Sequence, residues 1–112
     1  MKKLEIIIKP EKLEDLKELM DANDVNGLNI VNIMGYGNQR GHVEKYRGAT
    51  LKTNLLPKMK VETVVTDEKA AALIEKIVSH INTGNYGDGK IFVYEVADAI
   101  RIRTGERGND AL

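Results

Sequence analysis

The stretch TGNYGDGKIF, residues 83–92, places Gly84, Gly87, Gly89 and Lys90 in close succession. Glycines let successive backbone N–H groups converge on an anion, and lysine adds a point charge. The chemistry this suggests is the holding of phosphate. Gly84 and Gly89-Lys90 stand at the G-x-x-x-x-G-K spacing of a P-loop, but Ile91 occupies the place of the Ser or Thr that would meet Mg²⁺. A P-loop also runs from a strand into a helix, so that its amides point along the helix axis. Here a helical pattern precedes the glycines and a strand pattern follows them. The P-loop reading is therefore rejected. Two readings stay open: an anion nest, or a helix C-cap glycine followed by a hairpin-like turn.

Arg101 and Arg103 form the second candidate group. They alternate with Ile100 and Ile102, so on a strand both guanidiniums point the same way. Two such forks suit a polyphosphate, because each binds two oxygens at once. The alternative is an edge strand defended by charge. His42 and His80 are far apart and, with no cysteine in the chain, define no metal constellation. No nucleophile–base pair stands out.

The elements that must position these residues are readable from periodicity. KLEIIIKP reads as a strand stopped by Pro10, which suits the first position of the helix PEKLEDLKELMDAN. Leu13, Leu16, Leu19 and Met20 share one face of that helix. LNIVNIMGYG is a second strand. KMKVETVVT is a third, with Met59, Val61, Thr63 and Val65 on one side. DEKAAALIEKIVSHIN is the clearest helix, capped by Thr66 or Asp67, with Ala70, Leu73, Ile74, Ile77, Val78 and Ile81 as its stripe. The strand KIFVYEV follows the glycine turn. Between the halves, residues 37–57 show neither period and read as a long functional loop, in part a strand extension. The order β-α-β, loop, β-α-β is the α+β, ferredoxin-like double βαβ pattern with an antiparallel sheet. The sheet face away from the helices carries apolar residues such as Ile7 and Val64, and a second copy of the chain is the simplest cover.

The chain has 112 residues, enough for one domain, and Lys+Arg and Asp+Glu are both 17, which argues against broad nucleic-acid binding. Aromatics are scarce, and the open sheet face is expected to lack the paired aromatics on which RNA bases stack. The apolar run after Lys2 and Lys3 is too short for a signal-peptide core, and no stretch suits a membrane span, so the expected place is the cytoplasm.

Four stretches together resemble the PII signal-transduction family, the GlnB/GlnK type: GYGNQRGHVEKYRG (35–48), LLPKMKVE (55–62), TGNYGDGKIFV (83–93) and IRIRTGE (100–106). The likeness covers the whole chain as a single domain. It implies a homotrimer with ATP or ADP in clefts between subunits. It also implies a T-loop at about 37–55, a B-loop at about 82–90 and a C-loop at about 102–109. Carried over by position, Gly87, Asp88, Gly89 and Lys90 would hold phosphates, and Arg101 and Arg103 of a neighbouring subunit would complete the grip. Ile7, Asn29, Glu62 and Val64 would line the adenine and ribose end. Gly37, Asn38 and Gln39, at the loop base, would also meet the nucleotide, with Gln39 ligating Mg²⁺ beside ATP. Gln39 and Lys58 would meet 2-oxoglutarate as a possible effector. Tyr46 and Arg47 would reach the target, with Arg47 entering the mouth of an ammonium transporter or serving another membrane transporter.

Four positions depart from the family's habits. Leu51 stands where many members carry a uridylylated tyrosine, and Ala49 where some carry a phosphorylated serine. Asn38 lacks the usual positive charge there, and Glu11 replaces a phenylalanine often found in members that bind an arginine-pathway kinase. Covalent control of the usual kind is therefore not expected. The resemblance implies a regulator and not an enzyme. Alternatives are a regulator of another transporter or enzyme that reads only ATP and ADP, or a slow ATP-hydrolysing enzyme.

Overall fold

The computed structural model describes residues 1–36, 43–46, 49–52 and 55–112, with 43–46 and 49–52 described by backbone alone. The strands are β1 (Lys2–Ile8), β2 (Asn29–Tyr36), β3 (Val43–Tyr46), β4 (Ala49–Lys52), β5 (Leu55–Val65) and β6 (Lys90–Glu95). Helices α1 (Leu13–Ala22) and α2 (Asp67–Ile81) lie between β1 and β2 and between β5 and β6. Pro10 opens a short 3₁₀ turn, Pro10–Lys12, that leads into α1. Thr66 caps α2, its hydroxyl accepting from the Lys69 N–H at 3.3 Å.

The sheet order is β2-β5-β1-β6, and each of the three pairings is antiparallel. This is the ferredoxin-like arrangement, in which each βαβ half contributes one central and one edge strand. Alternation assigns the faces. Leu4, Ile6 and Ile8 of β1 and Met59, Val61, Thr63 and Val65 of β5 are buried against the helices. Leu16 and Met20 of α1 and Ala70, Leu73, Ile77 and Ile81 of α2 close the same core. The alternate residues, among them Lys3, Glu5, Ile7, Lys58, Lys60, Glu62 and Val64, occupy the open face.

Several readings from sequence need correction. Within residues 37–57, β3 and β4 pair with Glu44 opposite Leu51, and β5 begins at Leu55. Four-residue strands are too short for a period to show in the sequence. The segment bearing Arg101 and Arg103 is not a strand. It is a turn closed by a single antiparallel bridge between Ile100 and Arg107, tightened by the Gly105 N–H on the Arg101 carbonyl at 2.7 Å. The α2 stripe is narrower than its pattern, since Val78 lies half-exposed beyond the core. The open face does carry two aromatics, Phe92 and Tyr94, two residues apart on β6 opposite Glu5 and Lys3. Lys3 Nζ sits 4.4 Å above the Tyr94 ring, and the Tyr94 hydroxyl donates to Glu5 at 3.3 Å. No helix among the described residues is long and apolar enough to cross a membrane.

Candidate functional site

Two groups of candidate residues lie at opposite ends of the sheet. The first is built around the turn between α2 and β6. Glycines at 84, 87 and 89 adopt φ of 79°, 89° and 105°, a region that side chains disfavour. Gly89 is the tightest point, because a Cβ there would fall 1.7 Å from the Ile7 carbonyl oxygen. Only glycine lets the turn lie flat against the end of β1 and then enter β6 at Lys90.

Asp88 organises the interior of this turn. Its carboxylate accepts from the Thr83 N–H at 2.8 Å, from the Gly84 N–H at 3.1 Å and from the Thr83 hydroxyl. The Thr83 hydroxyl in turn accepts from the Asn85 N–H at 3.3 Å, and Asn82 Oδ1 accepts from the Gly84 N–H at 2.7 Å. These donors hold the Asp88 carboxyl below the usual carboxylate range, the Thr83 hydroxyl first and the Thr83 amide next. From below, Lys58 of β5 donates to the Gly87 carbonyl at 3.0 Å. Lys58 is only 7 % exposed although its neighbours on the open face are wetter. The N–H groups of Gly87 and Asp88 have no partner among the described residues, and Lys90 is exposed at the strand entry. The turn thus presents free amides and a cation, which is what an anion requires.

The second group lies at the other end. Asn29 pairs with Glu62 across β2 and β5, and Val64 follows on the same face. They line an open groove of about 490 Å³ together with Lys69, Asn109 and Leu112. Thr63 closes the floor by donating to the Gly27 carbonyl at 2.7 Å. Glu62 is paired with Lys60 at 3.6 Å. The arginine turn borders this groove: Arg101 ion-pairs with Glu106 at 2.9 Å and reaches the Leu112 carbonyl at 3.4 Å. Arg103 makes no ion pair or hydrogen bond among the described residues, and Ile102 between them is almost wholly exposed.

The separation follows from β6 itself. Its start abuts Ile7 at the end of β1, whereas the Val96 N–H donates to the Met1 carbonyl at 3.2 Å beside the beginning of β1. The strand spans roughly 17 Å at about 3.4 Å per residue. Within one chain, Arg101 and Arg103 therefore do not reach Gly87–Lys90. Ile7, opposite Lys60 and Lys90, lies between the two groups, beside the glycine turn and diagonally across from Glu62 on the same open face. Gly37, Asn38, Gln39 and Arg47 lie outside the described residues, and Tyr46 lies on β3, where only the backbone is described.

Sequence reading placed Asn82 and Thr83 within the turn but gave their side chains no part in building it. A hydroxyl residue and an Asp flanking a glycine-rich stretch are the usual signs of side chain-to-backbone turns, and that signal was present. It also missed Gly35, where a Cβ would crowd Lys58 Cγ at 3.1 Å.

Fold and site together define an α+β domain of ferredoxin-like topology with a glycine-built turn that presents backbone amides beside Lys90. A sequence profile described as nitrogen regulatory protein P-II matches residues 1–106. The chain is 50 % identical over 112 residues to a nitrogen regulatory protein P-II of Pasteurella multocida (strain Pm70), covering all of both chains. It is 51 % identical to that of Rhizobium meliloti (strain 1021) and 46 % to that of Klebsiella oxytoca, again over the full length of both chains. The chain belongs to the nitrogen regulatory protein P-II family.

Proposed function

We propose that this chain is a signalling regulator that assembles as a homotrimer and senses ATP and ADP in the clefts between subunits. The turn at Gly87–Lys90 of one subunit takes the phosphates, and Arg101 and Arg103 of the next complete the grip. Asn29, Glu62 and Val64 take the adenine end. The observation that carries this reading is the placement of the glycine turn and the arginine turn at opposite ends of one sheet. A polyphosphate can engage both only where the head of one copy meets the tail of another, and head-to-tail contacts form a ring when their rotation closes, as in a trimer. The relatives' common name supports a regulatory output in nitrogen metabolism.

The state of the cleft passes to a target through residues 37–55, with Tyr46 and Arg47 as contact residues and an ammonium transporter as the proposed target. ATP and ADP signal only if they favour different states of that segment. The γ-phosphate with Mg²⁺ held by Gln39 supplies that difference. In this reading the protein does not turn nucleotide over, and the engagement of the turn's own carboxylate, Asp88, by Thr83 and Gly84 supports it.

The narrower alternative is a regulator that senses only ATP and ADP. The Lys58 ammonium gives one donor to the Gly87 carbonyl and keeps two for a carboxylate such as those of 2-oxoglutarate. Calorimetry with ATP, ADP and 2-oxoglutarate, with and without Mg²⁺, tests both readings, alongside light scattering for the trimer. Nucleotide binding by a trimer without sustained phosphate release is expected. A monomer, or no affinity for either nucleotide, would overturn the proposal.

A further inference from the structure

We infer that Asp88 is a positioning residue of the phosphate turn, whose side chain braces the loop from within and makes no contact with the anion. This rests on the nucleotide-sensing reading above and deepens it. A carboxylate beside an anion site is a liability, since like charges repel and the local potential turns unfavourable. Simple electrostatics therefore predicts that removing it strengthens phosphate binding. The geometry predicts the opposite.

Both carboxylate oxygens are occupied. Oδ2 collects the N–H groups of Thr83 and Gly84, and Oδ1 takes the Thr83 hydroxyl. The bonds close a ring from residue 83 to residue 88, so the two ends of the turn are tied across its mouth. The amides of Thr83 and Gly84 point inward to Asp88. Those of Gly87 and Asp88, beyond the brace, have no partner among the described residues. The brace thus separates the amides that build the turn from those left for a ligand. Without it, three positive-φ glycines give the segment wide conformational freedom, and converging amides must be ordered at the moment of binding.

Asn at position 88 separates charge from geometry. Its Oδ1 accepts from the two amides and its Nδ2 donates to the Thr83 hydroxyl, so the ring survives without the negative charge. Asp88→Ala removes ring and charge together. Thr83→Val removes the hydroxyl arm alone, and Thr83→Ser restores it.

The test is ATP calorimetry on the wild type and these four variants, with unfolding midpoints measured in parallel. Asp88→Ala is expected to weaken ATP on the order of tenfold or more despite losing a negative charge. Thr83→Val should weaken it by less, Thr83→Ser should match the wild type, and Asp88→Asn should bind at least as well. Equal or tighter binding by a folded Asp88→Ala overturns the inference. A nucleotide-free readout keeps it separate from the sensing proposal: the Thr83 amide, which donates to Asp88 at 2.8 Å, should be protected from hydrogen exchange in the wild type and lose that protection in Asp88→Ala, whereas Gly84 keeps Asn82 as a second acceptor. An unprotected wild-type Thr83 amide overturns the brace even if ATP binds. A protected Thr83 amide in a wild type that binds no nucleotide overturns the sensing reading and leaves the brace standing.

Discussion

Lys58 and Gly87, 29 residues apart, are joined by a 3.0 Å hydrogen bond from the lysine ammonium to the glycine carbonyl. The bond links the first half of β5 to the glycine turn between α2 and β6. Gly35 on β2 leaves room for it, since a Cβ there would fall 3.1 Å from Lys58 Cγ and the lysine would have to shift by a few tenths of an ångström. In a trans peptide the carbonyl and the following N–H point in opposite directions. Holding the Gly87 carbonyl toward Lys58 therefore sends the Asp88 N–H away from the sheet, to the side where a phosphate would lie.

That relationship predicts a loss of nucleotide affinity even with no effector present. Lys58→Met keeps the length of the side chain and removes the donor. ATP affinity should fall on the order of tenfold, the range expected for a hydrogen bond from a charged group. The unfolding midpoint should fall only modestly, because the Gly87 carbonyl left behind is half-exposed and water can replace the lost donor. Calorimetry in the absence of 2-oxoglutarate decides it, and wild-type affinity in the variant would contradict the positioning role.

The glycines of the turn should differ in cost. At Gly89 a methyl group meets the Ile7 carbonyl at 1.7 Å and the backbone is also at φ 105°, so Gly89→Ala must push β6 away from β1. We expect a loss of more than about 3 kcal/mol, since strain and a displaced strand act together. At Gly84 a Cβ meets nothing within 4 Å, and only the left-handed backbone is disfavoured. Gly84→Ala should cost about 1–2 kcal/mol. Urea denaturation of the two variants measures the contrast, and equal costs would refute the close-approach argument.

The two arginines should also separate. Arg101 is tied to Glu106 and to the Leu112 carbonyl, so its replacement loosens the 100–107 turn as well as the cleft. Arg103→Ala should weaken ATP binding without lowering the unfolding midpoint, while Arg101→Ala lowers both. Mixing gives a stricter test of the shared cleft. Trimers of an Arg101→Ala/Arg103→Ala chain, or of a Lys90→Ala chain, each carry the defect in every cleft. Co-refolded mixtures should regain some wild-type-affinity sites, where an intact turn meets intact arginines. Failure of mixed trimers to recover any such site would place both groups within one subunit.

Asp88 sets a pH dependence with a defined sign. Its folded pKa lies below the ordinary 3.8, so the braced turn is fully favoured above that value and is lost as pH falls through the lower folded one. The Thr83 hydroxyl, the Thr83 and Gly84 amides and the nearby charge of Lys9 all act in that direction. The Thr83 and Gly84 amide shifts followed from pH 6 to pH 2, about the range in which carboxylates titrate, should inflect below 3.8 in the wild type and show no such step in Asp88→Asn. An inflection at or above 3.8 would count against the hydrogen-bonded brace.

Strand and helix order were legible in the sequence because burial imposes periods of 2 and 3.6, and β1, α1, β5 and α2 are long enough to display them. The Gly84–Lys90 stretch was legible as an anion candidate because positive φ and free amides are properties of local chain chemistry. The hairpin of β3 and β4 was not, since four-residue strands carry no resolvable period. Only the tertiary structure decided that Arg101 and Arg103 sit on a turn, that Lys58 grips Gly87, and that the arginines stand a full strand away from the glycines. Those facts depend on which strands pair and in what register, which residues distant in sequence settle jointly through the core they share.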